Sequence, residues 1–272
     1  MKSACVALRA LLLAAALAVS ASAGPLKTGV QPLPGPLPAL GEADSAIALD
    51  FDLSREMYFL AVPRGYSPYQ PYGLLVFVSP VDECLAVPPG WDGVLQQKKL
   101  IFVAPQNADN PQPVSRRVGL ALVAAARLPQ MATIDTNRVF VAGFSGGARV
   151  ACHAAFLRPN LVSGVLAICG ADFCRKVERV KATRTDDYGW FPVDDARAAA
   201  AKARVRFALV TGPGDFRYGN ILDIYSGGFQ KDVYSVKLLD VPGMGHEVCS
   251  AKALGEGLAF LDGRKPASAV RK

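Results

Sequence analysis

A serine flanked by glycines follows a short apolar run near the middle of this 272-residue chain. Residues 143–147 read G-F-S-G-G, and the apolar residues 139–142 before them are typical of a buried strand. The spacing is the G-x-S-x-G pattern of a nucleophile elbow, a sharp strand-to-helix turn that holds a serine hydroxyl clear of the backbone. Glycines two positions away avoid Cβ clashes where strand and helix meet. The pattern predicts that Ser145 is a nucleophile that attacks a carbonyl carbon.

A nucleophilic serine needs a base that accepts its proton, and the sequence contains two histidines. His153 follows Ser145 in the predicted helix at a distance of about 12 Å along the axis. This distance exceeds hydrogen-bond reach, so His153 is interpreted as a structural residue. His246 follows the last predicted strand, in a loop that contains Gly243 and Gly245. His246 is therefore the predicted general base.

The base needs a carboxylate that orients its ring, and three acids compete for this role. Asp215 follows the predicted strand 205–210 in a loop rich in glycine and proline, and it is the favoured acid. Asp223 is the competing acid, in a predicted helix near Asn220 where an ordinary solvated position is the simpler interpretation. Glu247 is adjacent to the base, where most loop geometries direct its side chain elsewhere.

Stabilising the negative oxygen of the reaction intermediate requires two hydrogen-bond donors. The backbone N–H of Gly146, directly after the nucleophile, is the first predicted donor. The second is expected in the loop after the strand 73–78. Pro80 has no N–H, so Val81 is predicted as the second donor and Asp82 is the next choice.

Three motifs, in this order, resemble the esterase and polyhydroxyalkanoate-depolymerase-like branch of the α/β-hydrolase superfamily. They are the nucleophile region 134–147, the acid loop 211–215 and the histidine loop 242–246, and the resemblance covers about residues 73–261. It implies an α/β-hydrolase fold and a triad made of the serine, aspartate and histidine selected above. The chain departs from the branch at residues 79–80, where Ser-Pro replaces a common His-Gly pair.

The N-terminus has the features of a secretory signal peptide, predicted over residues 1–23. Lys2 and Arg9 give a positive start, residues 10–19 are apolar, and residues 21–23 read A-S-A, a cleavage signal. The apolar run is shorter than the ~20 residues that span a bilayer. We therefore expect an exported protein, periplasmic or extracellular, without an integral membrane segment after cleavage.

The remaining chain divides into three predicted regions. Residues 24–44 carry five prolines and are expected to form an extended, poorly packed lead-in. Residues 45–264 are expected to form one α/β-hydrolase domain, and residues 265–272 a C-terminal tail. The basic clusters at 175–184 and 197–206 alternate with acidic residues and lack interleaved aromatic residues, so they predict a solvated surface and no nucleic-acid partner.

Five cysteines follow the predicted signal peptide, and export would permit disulfides between them. They are Cys84, Cys152, Cys169, Cys174 and Cys249. An odd number leaves at least one unpaired, and the candidate pairs are 169 with 174 and 84 with 249. Cys152 is expected to be a small buried apolar residue. No cysteine and histidine spacing resembles a zinc site, and no metal or cofactor is predicted.

Apolar runs that alternate with helical patterns predict a mainly parallel sheet covered by helices on both faces. The predicted strands are 47–53 and 56–62, forming an antiparallel N-terminal edge, and 73–78, 99–104, 138–142, 164–169, 205–210 and 235–241. The predicted helices are 114–128, capped by Ser115 and ended before Pro129, 148–157, 196–204 and 252–261. Residues 170–195 are expected to cross the carboxyl edge of the sheet, with Trp190 and Phe191 as candidates to line a pocket.

Together these features predict a secreted serine hydrolase that cleaves a small-molecule or polymeric carboxylic ester through an acyl-enzyme. A serine peptidase of the same fold is an alternative, because the serine motif also suits such enzymes. The third possibility is an exported protein of the same fold that has weak catalytic activity and binds a ligand. The sequence leaves the oligomeric state and the acyl specificity open.

Overall fold

The computed structural model describes residues 26–41, 44–182 and 188–263. The predicted signal peptide, residues 1–23, and the predicted tail, residues 265–272, lie outside the described residues. Within the described ranges, no helix combines the length and the apolar character needed to cross a membrane.

Eight strands of the described chain form a single sheet, with the spatial order β1-β2-β4-β3-β5-β6-β7-β8. Their bounds are β1 Gly29–Pro32, β2 Met57–Ala61, β3 Tyr72–Val78, β4 Leu100–Pro105, β5 Ile134–Phe144, β6 Gly164–Ile168, β7 Arg206–Thr211 and β8 Ser235–Asp240. Strands β3 to β8 pair in parallel, whereas β2 pairs antiparallel with both β1 and β4. The predicted parallel sheet with an antiparallel N-terminal edge is confirmed.

Helices cover both faces of this sheet. Their bounds are α1 Trp91–Lys98, α2 Val114–Met131, α3 Gly146–Leu157, α4 Asp195–Arg204, α5 Tyr218–Asp223 and α6 Ala251–Asp262, and α5 continues into a π-helical segment, Ile224–Gln230. Buried residues of α2, α3 and α4 belong to one core cluster, and those of α1 and α6 belong to the other. All residues of the central strands β3 and β4 are buried between these layers. Burial on both faces explains why their sequences are apolar throughout.

The antiparallel edge is built differently from the prediction. Residues 47–53 do not form a strand, and β1 from the proline-rich lead-in supplies the outer strand instead. Leu33 in this segment is completely buried, so the expectation of a poorly packed lead-in is wrong. Proline is compatible with an edge strand, because one side of that strand needs no backbone hydrogen-bond partner.

Two helices also differ from the prediction. Helix α2 begins after Pro113 rather than at a Ser115 cap, and it contains Pro129. The Ala132 N–H bonds to the Leu128 carbonyl, so the last turn closes after the proline. Helix α1 was not predicted. Its only buried residues are Trp91 and Leu95, too few to give a visible apolar period.

Candidate active site

Ser145 lies at the turn from β5 to α3, with backbone angles φ 54° and ψ −119°. A positive φ is costly for a residue with a side chain, so neighbouring contacts must hold it. One such contact is the Ser145 N–H, which donates to the Ile168 carbonyl at the end of β6 over 2.8 Å. The sheet itself therefore fixes the serine backbone.

The flanking glycines permit strand and helix to approach within van der Waals distance. A Cβ added to Gly147 would lie 1.9 Å from the Val78 carbonyl oxygen of β3. A Cβ added to Gly143 would lie 2.2 Å from the carbonyl carbon of Gly147. Neither space admits a side chain without moving backbone, which is the packing reason for the glycines predicted from the motif.

Ser145, His246 and Asp215 form a continuous chain of hydrogen bonds, although they come from three different loops. The His246 Nε2 atom lies 2.9 Å from Ser145 Oγ, and its Nδ1 atom lies 2.7 Å from Asp215 Oδ1. The Asp215 side chain has no exposed surface, while 21% of the His246 side chain is exposed. An acceptor at Nδ1 favours the tautomer in which Nε2 can take a proton from the serine.

Further contacts hold Asp215 and His246 in place. The Thr211 hydroxyl donates to Asp215 Oδ2 over 2.8 Å, and the Arg217 N–H donates to Oδ1 over 2.9 Å. The rings of Phe216 and Phe144 lie 4.1 Å and 5.0 Å from the imidazole centre of His246. The Asp215 carboxylate thus accepts hydrogen bonds at both oxygens, and the His246 imidazole packs near two aromatic rings.

The competing acids have other partners. The Asp223 carboxylate accepts the backbone N–H groups of Val180, Lys181 and Ala182, each at 2.9 Å. It therefore holds the backbone of residues 180–182, which belong to the segment 170–195 that was predicted to cross the carboxyl edge of the sheet. Part of that segment, residues 183–187, lies outside the described residues. Glu247 Oε1 accepts the Gly245 N–H over 3.2 Å.

His153 does not contact Ser145. Its Nε2 atom lies 2.7 Å from Asp172 Oδ2, and its ring stacks on Phe191 with centroids 3.6 Å apart. The side chain nevertheless lines the same cavity as Ser145, which the axial distance along α3 did not indicate. Phe191 therefore lies behind His153, and the lining includes neither Phe191 nor Trp190.

The backbone N–H groups of the two predicted oxyanion donors, Gly146 and Val81, have different surroundings. Gly146 is the first residue of α3, where a backbone N–H has no acceptor within the helix. The Val81 N–H donates to Ser79 Oγ over 3.2 Å, and Val81 is 67% exposed and outside the cavity lining.

The Asn110 side chain lies beside Gly146 instead, because a Cβ built there would be 2.0 Å from its Oδ1 atom. The Asn110 N–H bonds to the Pro80 carbonyl over 3.0 Å, which ties this loop to the end of β3. Sequence reasoning missed Asn110. Its position shortly after a buried strand, β4, was the available signal.

A cavity of about 380 Å³ opens beside the serine hydroxyl. Its lining residues are Asn110, Val114, Arg117, Ser145, Gly146, Arg149, Val150, His153, Asp172, Tyr188, Phe216 and Arg217. Three of them are arginines, whereas one, Asp172, is a carboxylate. The volume falls in the lower part of the range of small-ligand pockets.

The polar groups of this lining interact with one another. Arg149 Nε donates to Asp172 Oδ1 over 2.7 Å, so the buried aspartate bridges Arg149 and His153. The guanidinium groups of Arg149 and Arg217 lie 4.7 Å and 4.0 Å from the ring centre of Tyr188. Burial raises the pKa of the Tyr188 hydroxyl, and the nearby Asp172 raises it further.

Among the described residues, one group of potential metal ligands coincides with the contacts of His246 and Asp215. The ligand atoms of Cys169, Asp215 and His246 lie within 4.8 Å of one another. The Cys169 thiol donates to the carbonyls of Gly245 and Glu247 at 3.4 Å, and burial raises its pKa. A metal requires the thiolate, which this environment disfavours.

All five cysteines of the described ranges are free thiols. Neither candidate pair, 169 with 174 or 84 with 249, forms a disulfide. Cys152 is completely buried, as predicted from its position in the helix behind the serine.

Comparisons with solved structures identify the architecture. No family model and no curated sequence matches the chain. Poly(3-hydroxybutyrate) depolymerase from Bordetella parapertussis is 18% identical, with a TM-score of 0.51 over 79% of this chain and 86% of that chain. S-formylglutathione hydrolase from Staphylococcus aureus is 13% identical, with a TM-score of 0.56 over 76% of this chain and 92% of that chain.

A third similar structure is a peptidase. Dipeptidyl peptidase 4 from Porphyromonas gingivalis is 12% identical, with a TM-score of 0.54 over 76% of this chain. The match covers only 33% of that larger protein. At such low identities the likeness defines the fold, and the chain has the α/β-hydrolase fold.

Proposed function

We propose that this chain is an exported serine hydrolase that cleaves carboxylic esters. The observation that carries the proposal is the unbroken contact chain from Ser145 Oγ through His246 to the buried Asp215. Nucleophile, base and orienting acid lie at the carboxyl ends of β5, β8 and β7, where ligands bind in sheets of this type. Export rests on the signal-peptide features of residues 1–23.

In this mechanism His246 Nε2 accepts the hydroxyl proton as Ser145 Oγ attacks the ester carbonyl. The Gly146 N–H and the Nδ2 amide group of Asn110, which lies 3.3 Å from the Cβ position of Gly146, donate to the negatively charged oxygen of the tetrahedral intermediate. The imidazolium then protonates the leaving alcohol as the C–O bond breaks. Water attacks the acyl-serine in the same way, with His246 as base, and releases the acid. Asp215 stays ionised throughout and stabilises the imidazolium.

The shared fold is the argument that favours an ester substrate. The fold is shared with a poly(3-hydroxybutyrate) depolymerase and a formylglutathione hydrolase of comparable length. The similarity to a dipeptidyl peptidase supports a peptidase as the second candidate, although the match covers a third of that protein. Under either reading the same serine forms the acyl-enzyme.

A fluorophosphonate probe and a set of nitrophenyl substrates test the proposal. The protein without its signal peptide should bind the probe covalently and hydrolyse short-acyl nitrophenyl esters, and Ser145→Ala should lose both properties. Ser226→Ala, which changes an exposed serine in the π-helical segment, is the matched control and should keep both.

The possible results separate the candidate functions. Labelling of Ser145 with turnover of peptide anilides but not of esters would favour the peptidase. A folded protein without Ser145-dependent labelling would refute the hydrolase proposal and leave the ligand-binding alternative.

A further inference from the structure

We infer that the preferred ester carries a carboxylate group, which binds to Arg117 and Arg149 in the cavity beside Ser145. This inference rests on the proposed function, because it specifies the substrate of the same site. It starts from the lining, which includes the guanidinium groups of Arg117 and Arg149 and the carboxylate of Asp172. Asp172 pairs with Arg149, so a neutral acyl or alcohol group would leave Arg117 without a carboxylate partner among the described residues.

Arg117 is the most unusual member of the lining, since only 3% of it is exposed. Its Nε atom donates to the Ala108 carbonyl over 2.7 Å, and its Nη2 atom donates to the Ser79 carbonyl over 3.3 Å. Within the described part of the chain, no salt bridge joins it to a carboxylate. Its guanidinium is held by neutral carbonyls, and Asp109 acts on its charge without forming a salt bridge. This buried cation therefore lacks the direct carboxylate partner that such groups normally have.

Arg149 is the second binding group. Its Nε atom bonds Asp172, and no other hydrogen bond of its guanidinium is formed with described residues. About a third of the side chain, 34%, is exposed, so a ligand can reach it. The planar guanidinium offers paired donors that suit the two oxygens of a carboxylate.

The electrostatics of the two arginines support this assignment. The pKa of Arg117 is lowered to about 10, mainly by burial, with Asp109 raising it and the positive charge of Arg149 lowering it. Arg117 remains charged at neutral pH, and the two guanidinium groups repel each other. A bound carboxylate would remove this repulsion and replace water around Arg149.

The position of the arginines limits where the carboxylate lies on the substrate. Arg149 is four residues after Ser145 on α3, one helical turn away, so it lies on the side of the helix that faces the cavity. A cavity of about 380 Å³ accommodates a short chain between the scissile carbonyl and this turn. Half-esters of short dicarboxylic acids fit these requirements.

Two matched substrates test the inference directly. One is the 4-nitrophenyl half-ester of glutaric acid, and the other is the same compound with its free carboxylate methylated. The wild-type protein should prefer the charged ester in kcat/KM by about tenfold or more, the gain expected from charge-assisted hydrogen bonds. The preference should fall with added NaCl, because salt screens the attraction at this partly exposed site.

Arginine variants identify the binding group. Arg149→Met should reduce the ratio of the two kcat/KM values about tenfold. Arg149→Lys, which keeps the charge without the planar pair of donors, should retain part of the preference. Arg55→Met changes an exposed arginine outside the cavity and should leave the ratio unchanged. An Arg149→Met ratio equal to that of wild type would overturn the assignment.

A binding measurement keeps the inference separate from catalysis. Glutarate should bind to Ser145→Ala in a calorimetric titration, and Ser145→Ala/Arg149→Met should bind it about tenfold more weakly. Hydrolysis of both esters at equal rates would refute the carboxylate inference and leave the proposed function intact. No turnover with intact glutarate binding would refute the proposed function alone. Absence of glutarate binding would refute the inference.

Discussion

The Ser145 hydroxyl meets its partners at a point where several loops converge. His246 comes from the loop after β8, and Asp215 from the loop after β7. The side chain of Asn110, from the loop after β4, lies against Gly146 in the first turn of α3. Under the proposed function, a carbonyl that reacts with Ser145 would have both His246 and the amide of Asn110 near it.

The Asn110 side chain provides a test of the oxyanion donors. We expect Asn110→Ala to lower kcat by about 10²- to 10³-fold, the loss typical when one oxyanion donor is removed. The fold should persist, which a melting curve checks, since Asn110 is a loop residue. Ester hydrolysis with saturating substrate gives kcat directly.

Val81→Pro is the matched comparison, because it deletes the backbone N–H predicted from sequence as the second donor. In the structure that N–H bonds Ser79 Oγ, so Val81→Pro should change kcat much less than Asn110→Ala. A larger loss of kcat for Val81→Pro than for Asn110→Ala would indicate that the Val81 N–H is the second oxyanion donor.

The predictions of candidate site residues from the sequence depended on polar residues that follow predicted strands. The contacts of Ser145, Asp215 and His246 could be anticipated because each follows an apolar run that reads clearly as a strand. The residues that line the cavity could not be predicted in this way. Arg149 and His153 belong to a helix whose register is visible, but Asp172, the residue that joins them, lies in a segment without periodicity.

At the scale of elements, the contact between β3 and α3 determines where the serine lies. The space between the Val78 carbonyl and Gly147 is too small for a methyl group. The backbone of α3 consequently rests directly on the central strand, and its first turn points at the cavity. Any side chain at this contact would displace the helix together with Ser145 and Gly146.

Two glycine substitutions test this contact, because the same change should have opposite effects in two helices. Gly147→Ala should destabilise the protein by at least about 3 kcal/mol, since the new methyl group meets a backbone oxygen. Gly255→Ala in α6 has no heavy atom nearer than 3.9 Å and should stabilise it by about 0.5–1 kcal/mol. Urea unfolding of both variants gives the two free energies. Equal stability of the two would contradict the close contact.

The elements themselves were predictable to different degrees. The central parallel strands were anticipated because burial on both faces leaves them apolar throughout. The outer strand β1 was not, since its prolines favour a loop by local propensity. Its pairing with β2 and the burial of Leu33 are tertiary effects that override this propensity.

At the scale of the whole molecule, four of the five free thiols of the described residues are buried in the two core layers. Burial raises the pKa of Cys152 and of Cys249 from 9.0 to about 12. Cys152 lies in the layer of α2 and α3, and Cys249 in the layer of α1 and α6. Thiols on both sides of the sheet thus remain protonated in the folded protein well above the pH at which the unfolded chain loses these protons.

This difference predicts that stability falls at alkaline pH. Below about pH 9 both states keep the thiol protons, so each buried thiol contributes fully to the folded state. As pH rises from 9 towards 12, the unfolded chain ionises first, and the free energy of unfolding decreases. Between pH 8 and pH 10 each thiol should account for a loss on the order of 1 kcal/mol. Urea unfolding under reducing conditions at both values measures the change.

The variant Cys152→Ala/Cys249→Ala isolates the thiol contribution from that of the buried tyrosines, whose raised pKa values act in the same direction. Its stability at pH 8 should be lower, because two core side chains are shortened, yet its further loss at pH 10 should be smaller than that of wild type by about 2–3 kcal/mol. The difference between the two pH values, rather than either stability alone, is the relevant quantity. An identical decline in both proteins would mean that the thiols are not protected from ionisation by the fold.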